Sequence, residues 1–262
     1  MSENTIGAAE QSIAISDPGE KDLANHVWGD RFMIKMGNVA AWLFPILMVA
    51  IVTQVVIRKF GFNQAWLDDA QWWLYGTAML AGFSYAITTE SHVRVDILHQ
   101  NYSPKKKAKI EIFALGWLLL PFLVLMTDIL LHYAIPSWVA GEGSDSPNGL
   151  HRLYLLKALL PVLFFLAIFA TLAVLHRHLR KLTQPDRWKL ILAGFPGFWF
   201  LCERAVYYVL WWFTRVSQPE LNARRISREP IMQDTIWYGL VLLLIILLIA
   251  FSASRRNAEN AS

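Results

Sequence analysis

Long apolar runs constrain this chain more than any other feature of its sequence. The clearest run, IWYGLVLLLIILLIAF, occupies positions 236–251, and three more lie at 36–57, 110–135 and 153–175. A helix that crosses a bilayer needs about 20 consecutive, mostly apolar residues. Charged residues make up only 17% of the chain, whereas soluble domains average about a quarter. The sequence therefore predicts an all-α integral membrane protein.

The runs divide the chain into three parts. Residues 1–30 are polar and lack an apolar period, which is typical of a mobile terminus. A further run at 70–89 follows the first, so residues 31–182 predict a four-helix membrane core. Residues 183–262 form a C-terminal extension to that core.

The C-terminal extension adds one or two hydrophobic segments. Residues 236–251 predict a final span. Residues 190–214 are ambiguous, because the charged pair Glu203 and Arg204 lies mid-run among many aromatic side chains. Aromatic residues gather at the headgroup level, and a charge at a helix centre costs about 2.5–3.5 kcal/mol on insertion scales. We expect an aromatic interfacial or re-entrant segment and five spans, with six spans as the alternative.

The distribution of Lys and Arg predicts the orientation. The first 35 residues carry three, residues 90–109 carry five and residues 176–189 carry five, whereas 58–68 and 136–152 carry two and one. Short cytoplasmic loops of membrane proteins accumulate basic residues. The N-terminus is therefore expected in the cytoplasm, together with the charged loop at 90–109.

That loop, between the second and third predicted spans, is dense in charge. The stretch TTESHVRVDILHQNYSPKKKAK (88–109) places His92, Arg94 and Asp96 within five residues and adds four lysines. Ser103 followed by Pro104 indicates a helix N-cap with proline at the first helical position. The residues alone predict an interfacial elbow, in which basic side chains meet anionic headgroups.

The same region also resembles a known family. WLDDAQWWLYG at 66–76 leads to a glycine within the second span and then to HVRVDIL. The further matching residues, in order, are Pro121, Ser137-Trp138, EGSDSPNGL at 142–150, Lys157 and Pro161. Over about residues 36–180 this pattern resembles the small, DctQ-like membrane subunit of tripartite ATP-independent periplasmic (TRAP) transporters. Two features depart from it: Thr88 and Thr89 stand where members often carry a basic residue, and the extension from about 185 has no counterpart.

The resemblance implies a non-catalytic transport subunit in a bacterial inner membrane. In that family the small subunit pairs with a much larger membrane subunit, which carries the solute and ion sites, and a periplasmic binding protein delivers the solute. The implied role is a fixed scaffold for ion-gradient-driven uptake, by symport, of an organic-acid-like or polyol-type solute. The predicted spans agree, because they show no buried polar cluster. The elbow residues expected at the subunit interface are Gly82, His92, Arg94 and Asp96.

Two further sets of side chains are candidates for a role. Asp128 lies well inside the third span, and an intramembrane carboxylate is a functional candidate by default. A structural salt bridge within the membrane, with Arg152 or Lys157 approaching from the fourth span, is the simpler expectation. Residues of the outer loop that could meet a docking binding protein, or could form a solvated turn, are Trp138, Glu142, Ser144 and Asp145.

The main alternative function is a membrane anchor of a haem or quinone redox complex, since histidines near membrane helices can be axial ligands. The candidates are His92, His132, His151, His176 and His178. Ligation between two helices requires two histidines at similar depth. His132 and His176 are predicted about a membrane thickness apart, whereas His92 and His176 share a side. A free-standing channel is disfavoured, because no span repeats a polar face.

Other function classes lack the residues they would need. The single cysteine, Cys202, can form neither an internal disulfide nor a thiolate cluster. No nucleophile–base pair, glycine-rich phosphate loop or metal-ligand spacing occurs, and basic residues cluster at predicted membrane edges. We expect no enzymatic activity, no cofactor or metal and no nucleic-acid partner. The expected partners are the large membrane subunit, the periplasmic binding protein and membrane lipid.

Overall fold

The computed structural model describes residues 26–91 and 101–259, the last three by their backbone alone. All regular structure in these ranges is helical. In chain order the elements are α1 Trp28–Ala41, α2 Leu43–Lys59, α3 Ala65–Thr89, α4 Pro104–Phe113, a π-helical turn Ala114–Leu119, α5 Leu120–Ala140, α6 Leu153–Arg180, α7 Arg187–Ala193, α8 Phe195–Ser217, α9 Ala223–Ile226, α10 Pro230–Gln233 and α11 Thr235–Glu259.

Four helical stretches are long and apolar enough to cross a membrane, which confirms the predicted fold class. They are Trp28–Lys59, Pro104–Ala140, Leu153–Arg180 and Thr235–Arg256. The predicted second span forms α3 but is not among these four, because tryptophans, tyrosines, threonines and glycines dilute its apolar residues. Its 25 residues would still reach across a bilayer at about 1.5 Å per residue.

Prolines lie at the irregular points of two of these stretches. Pro45 has no N–H to donate to the carbonyl of Ala41, and the helix breaks at Trp42, between α1 and α2. Pro121 likewise lacks a donor, and the turn before it, Ala114–Leu119, is π-helical. Membrane helices tolerate such interruptions, because neighbouring groups satisfy the freed carbonyls.

The core lies between α1, α3, α5 and α6, with α6 at its centre. Half of the most apolar window of α6 is buried, against 6% of the window in Trp28–Lys59. Lipid tails are as apolar as leucine, so close approach of helices contributes more to such a core than hydrophobic transfer does. Gly29 of α1 shows that approach, since a Cβ added there would lie 3.1 Å from the Cβ of Ala173. The buried core residues are Met33, Ile87, Leu120, Leu123, Val124, Ala167, Ile168, Ala170 and Val174.

The C-terminal extension joins this core through a sharp bend. α7 and α8 meet at Gly194 at an angle of 95°. The bend lies against Gly116 of the π-helical turn, where any side chain would collide with the carbonyl oxygen of Ala193. The segment predicted as interfacial or re-entrant is therefore two helices, and the second of them lies along the core.

α8 runs beside α5 in the same direction, and α11 returns beside α8 in the opposite one. Asp128 and His132 of α5 contact Arg204 and Tyr208 of α8, in that order along both helices. α11 begins beside the middle of α8, at Glu203, and reaches α7 near its other end. It therefore covers only the first half of α8, and the second half faces α5 and the short helix α9.

Candidate functional site

A group of charged side chains meets where α1 begins and where α3 and α6 end. Arg177 Nη2 donates to Glu90 Oε1 over 2.7 Å and to the backbone carbonyl of Thr88 over 3.0 Å. Arg177 Nη1 lies 3.2 Å from Asp30 Oδ1, an ion pair that is not aligned as a hydrogen bond. His178 Nε2 lies 3.0 Å from the same Glu90 oxygen. We call Asp30, Glu90, Arg177 and His178 the terminal charge cluster.

Local sequence explains why each side chain of the cluster lies at a helix end. Asp30 is in the first turn of α1, where its Oδ2 accepts the backbone N–H of Val27 over 3.0 Å. Arg177 and His178 are in the last turn of α6. Carboxylates favour helix N-termini and cations favour C-termini, because of the helix dipole. Glu90 is the exception: it caps the C-terminus of α3 in a left-handed conformation, φ 52°, and its charge is compensated by Arg177.

The cluster is largely removed from solvent. Asp30 is fully buried, and Arg177 is 5% exposed. Burial alone would raise the pKa of the Glu90 carboxyl. The hydrogen bonds and positive charges of His178 and Arg177 outweigh that effect and hold the pKa of Glu90 well below its ordinary value. Glu90 is therefore ionised at neutral pH, which favours its bond to Arg177.

The terminal charge cluster contradicts the expectation that the spans carry no buried polar cluster. The sequence HRHLRK (176–181) was interpreted as basic residues facing the cytoplasm. Two of its members, Arg177 and His178, instead point into the bundle. The sequence feature that could have indicated this cluster is Asp30, an acidic residue at the start of the first long helix. If such a residue is buried, it needs a cation beside it.

The elbow begins directly after this cluster. His92, Arg94 and Asp96 of the predicted interface motif lie outside the described residues. Beyond them, the predicted N-cap is confirmed: the Ser103 hydroxyl accepts the N–H of Lys106 over 3.4 Å, and Pro104 opens α4. The described residues on the two sides of the elbow are thus both fixed, Glu90 by the terminal charge cluster and Pro104 by the N-cap of α4.

Gly82, the fourth predicted interface residue, lies in α3. A Cβ added at Gly82 would meet nothing within 4 Å. Packing within the described part of the chain therefore does not require glycine at that position.

At the other end of the bundle, Lys157 pairs with the outer loop. Its Nζ donates to both carboxylate oxygens of Glu142 over 2.6 Å and lies 4.4 Å from the ring centre of Tyr133. The hydrogen bond from Lys157 lowers the pKa of the Glu142 carboxyl. The predicted salt bridge between Lys157 and Asp128 is therefore wrong, because Glu142, just beyond the end of α5, lies within reach of Lys157 and binds it instead.

The outer loop is tied to three helices. Trp138 at the end of α5 contacts Tyr154 of α6 edge-on, with ring centres 5.0 Å apart. The backbone N–H of Leu150 donates to Asp69 of α3 over 2.9 Å. Ser144 folds the loop on itself, since its Oγ accepts the N–H of Ser146 over 3.3 Å. Of the four predicted docking residues, Trp138 and Asp145 are exposed, and Trp138 is also one of the residues that hold the loop.

A second polar group lies along α5 and α8. Arg204 Nη1 lies 3.4 Å from Asp128 Oδ2, and the hydroxyl of Tyr208 donates to Asp128 Oδ1 over 2.7 Å. Arg204 Nη2 also donates to Glu203 Oε1 over 2.6 Å. Thr235 of α11 donates to that oxygen over 2.8 Å. We call Asp128, Glu203, Arg204, Tyr208 and Thr235 the mid-helix polar cluster.

This cluster corrects the prediction about Asp128 and joins two adjacent side chains. Asp128 does form an intramembrane ion pair, but its partner is Arg204 rather than Lys157. Glu203 and Arg204 are adjacent residues of α8, and adjacent residues of a helix do not ordinarily face each other. Their long side chains nevertheless close the gap, and Glu203 is buried. The sequence feature that could have indicated these pairs is the scarcity of charge within the apolar runs, because the few charged side chains there pair with one another.

Residues 47–181 match the family model of tripartite ATP-independent periplasmic transporters, DctQ component. The match covers just over half of the chain, from α2 to the end of α6. The chain belongs to this family. The DctQ match includes the elbow, the outer loop and all of the terminal charge cluster except Asp30, and it ends where the C-terminal extension begins. Comparisons with curated proteins and with solved structures give no significant match.

The polar side chains of this DctQ family member serve mainly to connect helices. Among residues 26–91 and 101–259, no three His, Cys, Asp or Glu side chains converge to hold a metal ion. His178 is engaged by Glu90, and His132 Nδ1 bonds the carbonyl of Asp128 over 2.9 Å. Each of the two clusters joins three helices: α1, α3 and α6 in the terminal charge cluster, and α5, α8 and α11 in the mid-helix polar cluster.

Proposed function

We propose that this DctQ family member is the small permease subunit that acts as the stationary scaffold of a TRAP transporter in the bacterial inner membrane. The observation that carries the proposal is the terminal charge cluster, because it joins α1, α3 and α6 directly before the elbow begins in the sequence.

The energetics of that cluster favour a frame that does not move. Sliding α6 past α1 would separate Arg177 from Asp30 while both remain buried. Breaking a buried ion pair by removal of one partner costs about 3–5 kcal/mol, since the other charge is left uncompensated. A helix held in this way resists displacement, so the moving parts of the transporter belong to the larger membrane subunit.

The elbow is then the part of the scaffold that meets the larger subunit at the cytoplasmic surface. The excess of Lys and Arg in the first 35 residues, in 90–109 and in 176–189 supports a cytoplasmic N-terminus. His92, Arg94 and Asp96 supply the polar contacts of this interface. Gly82 supports it too, because glycine there is not needed for packing inside this chain and leaves room for a neighbouring helix.

The outer loop faces the periplasm in this orientation. Lys157 and Trp138 hold it in shape, and a preformed loop suits docking of a periplasmic binding protein through Glu142, Ser144 and exposed Asp145. The solute would be organic-acid-like or polyol-type, and uptake would be driven by an ion gradient, as in the family that this chain belongs to. The residues that contact the solute would lie in the larger subunit.

Purification of the tagged protein from its native membrane in mild detergent tests the proposal. We expect a larger, many-span membrane protein to co-purify in stoichiometric amount. Arg94→Ala or Asp96→Ala should lower the yield of that complex without changing solute affinity, whereas Lys105→Ala, a matched loss of one charge in the same cytoplasmic loop, should not. Unchanged complex yield together with lost transport would contradict the role given to the elbow.

A different set of companions would contradict the scaffold function itself. A protein that purifies alone, or with a pigment absorbing near the haem Soret band, or with a dehydrogenase, would support a membrane anchor of a haem or quinone redox complex instead.

A further inference from the structure

An open pocket lies where α11 leaves the second half of α8 uncovered. It has a volume of about 750 Å³, within the range of ordinary ligand sites. The residues that carry the inference are His132, Tyr207, Tyr208, Trp211, Trp212 and Arg224. We call this the aromatic–arginine pocket.

Local contacts hold the walls of the pocket in place. Tyr208 is fixed to Asp128 of α5, and the hydroxyl of Tyr207 donates to Ser227 Oγ over 3.1 Å, which ties the end of α9 to α8. The rings of Trp211 and Trp212 lie 5.3 Å apart, edge-on. The pocket is therefore formed by three helices, α5, α8 and α9, which hydrogen bonds of its own lining residues hold together.

The charge of the pocket is positive and uncompensated. Within residues 26–91 and 101–259, the guanidinium of Arg224 forms no hydrogen bond or ion pair, and Arg225 and Arg228 follow it closely. The nearby acidic residues of the connection, Glu220 and Glu229, do not line the pocket. A guanidinium is the side chain best suited to a phosphate, which it can bind with two parallel hydrogen bonds.

We propose that the aromatic–arginine pocket binds an anionic phospholipid, with its phosphate at Arg224 and an acyl chain along the rings of α8. The apolar lining decides in favour of a lipid over a small anion, because a free phosphate would leave the aromatic faces uncovered. The same helix also carries exposed apolar surface that suits acyl chains: Val209, Phe213 and Val216 of α8 are about 70% exposed. Trp and Tyr are enriched at the membrane–water interface of membrane proteins, where their rings lie at the level of the lipid headgroups.

The position of the pocket fixes the leaflet that would supply the lipid. His132 and Pro136 lie near the end of α5 that leads to the outer loop. With the predicted orientation, the lipid comes from the periplasmic leaflet of the inner membrane. It would bridge the DctQ core and the C-terminal extension, which are otherwise joined along α8 by the mid-helix polar cluster.

Lipid binding by the full chain in dodecyl maltoside tests the proposal. Native mass spectrometry would compare dioleoyl phosphatidylglycerol with dioleoyl phosphatidylcholine, for the wild type, Arg224→Gln and Arg225→Gln. We expect preferential binding of phosphatidylglycerol, and Arg224→Gln should weaken that binding about fivefold, the effect of about one basic residue at an anionic surface. Arg225→Gln is the matched control, because it removes the same charge from the same short helix but does not line the pocket; its effect should stay within about twofold.

Three outcomes would overturn the proposal. Equal binding of the two lipids would show that charge is not recognised. Equal weakening by both variants would show a diffuse electrostatic effect rather than a site. Competition by free glycerol 3-phosphate at the same concentration as the lipid would show a site for a small anion.

A second measurement keeps the proposal testable if Arg224→Gln does not fold. Phosphatidylglycerol with brominated acyl chains should quench tryptophan fluorescence of the wild type, and the quenching should fall when Trp211 and Trp212 are both replaced by Phe. Unchanged quenching in that variant would place the lipid elsewhere.

Discussion

Arg177 of α6 and Asp30 of α1 lie 3.2 Å apart in the interior of the bundle, where almost no solvent reaches either of them. The same guanidinium also binds Glu90 and a carbonyl at the end of α3. One side chain thus fixes the relative positions of three helices that the sequence separates widely.

The first prediction concerns that side chain. Arg177→Met should lower the free energy of unfolding by about 3–5 kcal/mol, because Asp30 is left buried without a cation. Unfolding by SDS in mixed micelles would measure the change. Adding Asp30→Asn to Arg177→Met should restore a large part of the loss, since the buried charge is then gone. Arg180→Met, at the exposed end of the same helix, should change the stability by less than about 0.5 kcal/mol; equal losses for the two methionine variants would contradict the buried pair.

The second prediction concerns pH. The pKa of Glu90 is lowered from its ordinary value of 4.5 in the folded protein, so Glu90 contributes stability above about pH 4.5 and loses that contribution as the pH falls further. Melting temperatures in detergent from pH 7 to pH 3.5 should show the decline. Glu90→Gln should be less stable at pH 7 and should show a shallower decline. Glu220 is exposed, so Glu220→Gln should follow the wild-type curve of melting temperature against pH. If Glu90→Gln follows that curve as well, the Glu90 carboxylate does not contribute to the pH dependence of stability.

Two glycines give a third, paired prediction. A Cβ at Gly239 of α11 would lie 2.5 Å from the Cα of Glu203 in α8, so Gly239→Ala must push the two helices apart and should cost about 1–3 kcal/mol. Gly82→Ala meets no neighbour and should stabilise the isolated chain slightly, since alanine favours helices. The same Gly82 variant should lower the yield of the complex with the larger subunit. If Gly82→Ala leaves both the stability and the yield of the complex unchanged, that result would contradict the proposal that Gly82 lies at the subunit interface.

The fourth prediction tests what the C-terminal extension does for the core. Deletion of residues 183–262 removes Arg204 and Tyr208 and leaves the Asp128 carboxylate with only His132, whose Nδ1 lies 3.9 Å from it. Asp128→Asn should therefore raise the yield and melting temperature of the truncated chain. In the full chain the same change should lower them, because Arg204 loses an ion pair. The same sign of effect in both chains would mean that Asp128 is satisfied in some other way.

The four apolar spans were predictable because each depends on composition alone. Hydropathy indicates which runs are apolar, and Ser103-Pro104 indicates a helix start from two adjacent residues. The buried charges were not predictable in the same way. Whether Arg177 or Arg180 turns inward depends on where α1 and α3 pass, and local sequence does not contain that information.

The partner of Asp128 shows the same limit more sharply. Lys157 and Arg204 are both basic residues of apolar helices, and the sequence offers either of them. The choice is made by α8, whose path along α5 depends on the bend at Gly194 and on its contact with Gly116. A prediction limited to the four-span core could not include that helix, because it lies in the extension.

The late start of α11 beside the middle of α8 affects the lipid around the protein. The apolar run 236–251 is about 24 Å long at 1.5 Å per residue, less than the hydrocarbon thickness of about 30 Å, whereas the run 110–135 measures about 39 Å along its axis. A short run is matched by thinner lipid, and a long one by tilt or thicker lipid. The side of the molecule with the run 236–251 and the side with the run 110–135 thus prefer membranes of different thickness. Each molecule imposes a gradient of thickness on the bilayer around it. Molecules that place their thin flanks together would share that deformation.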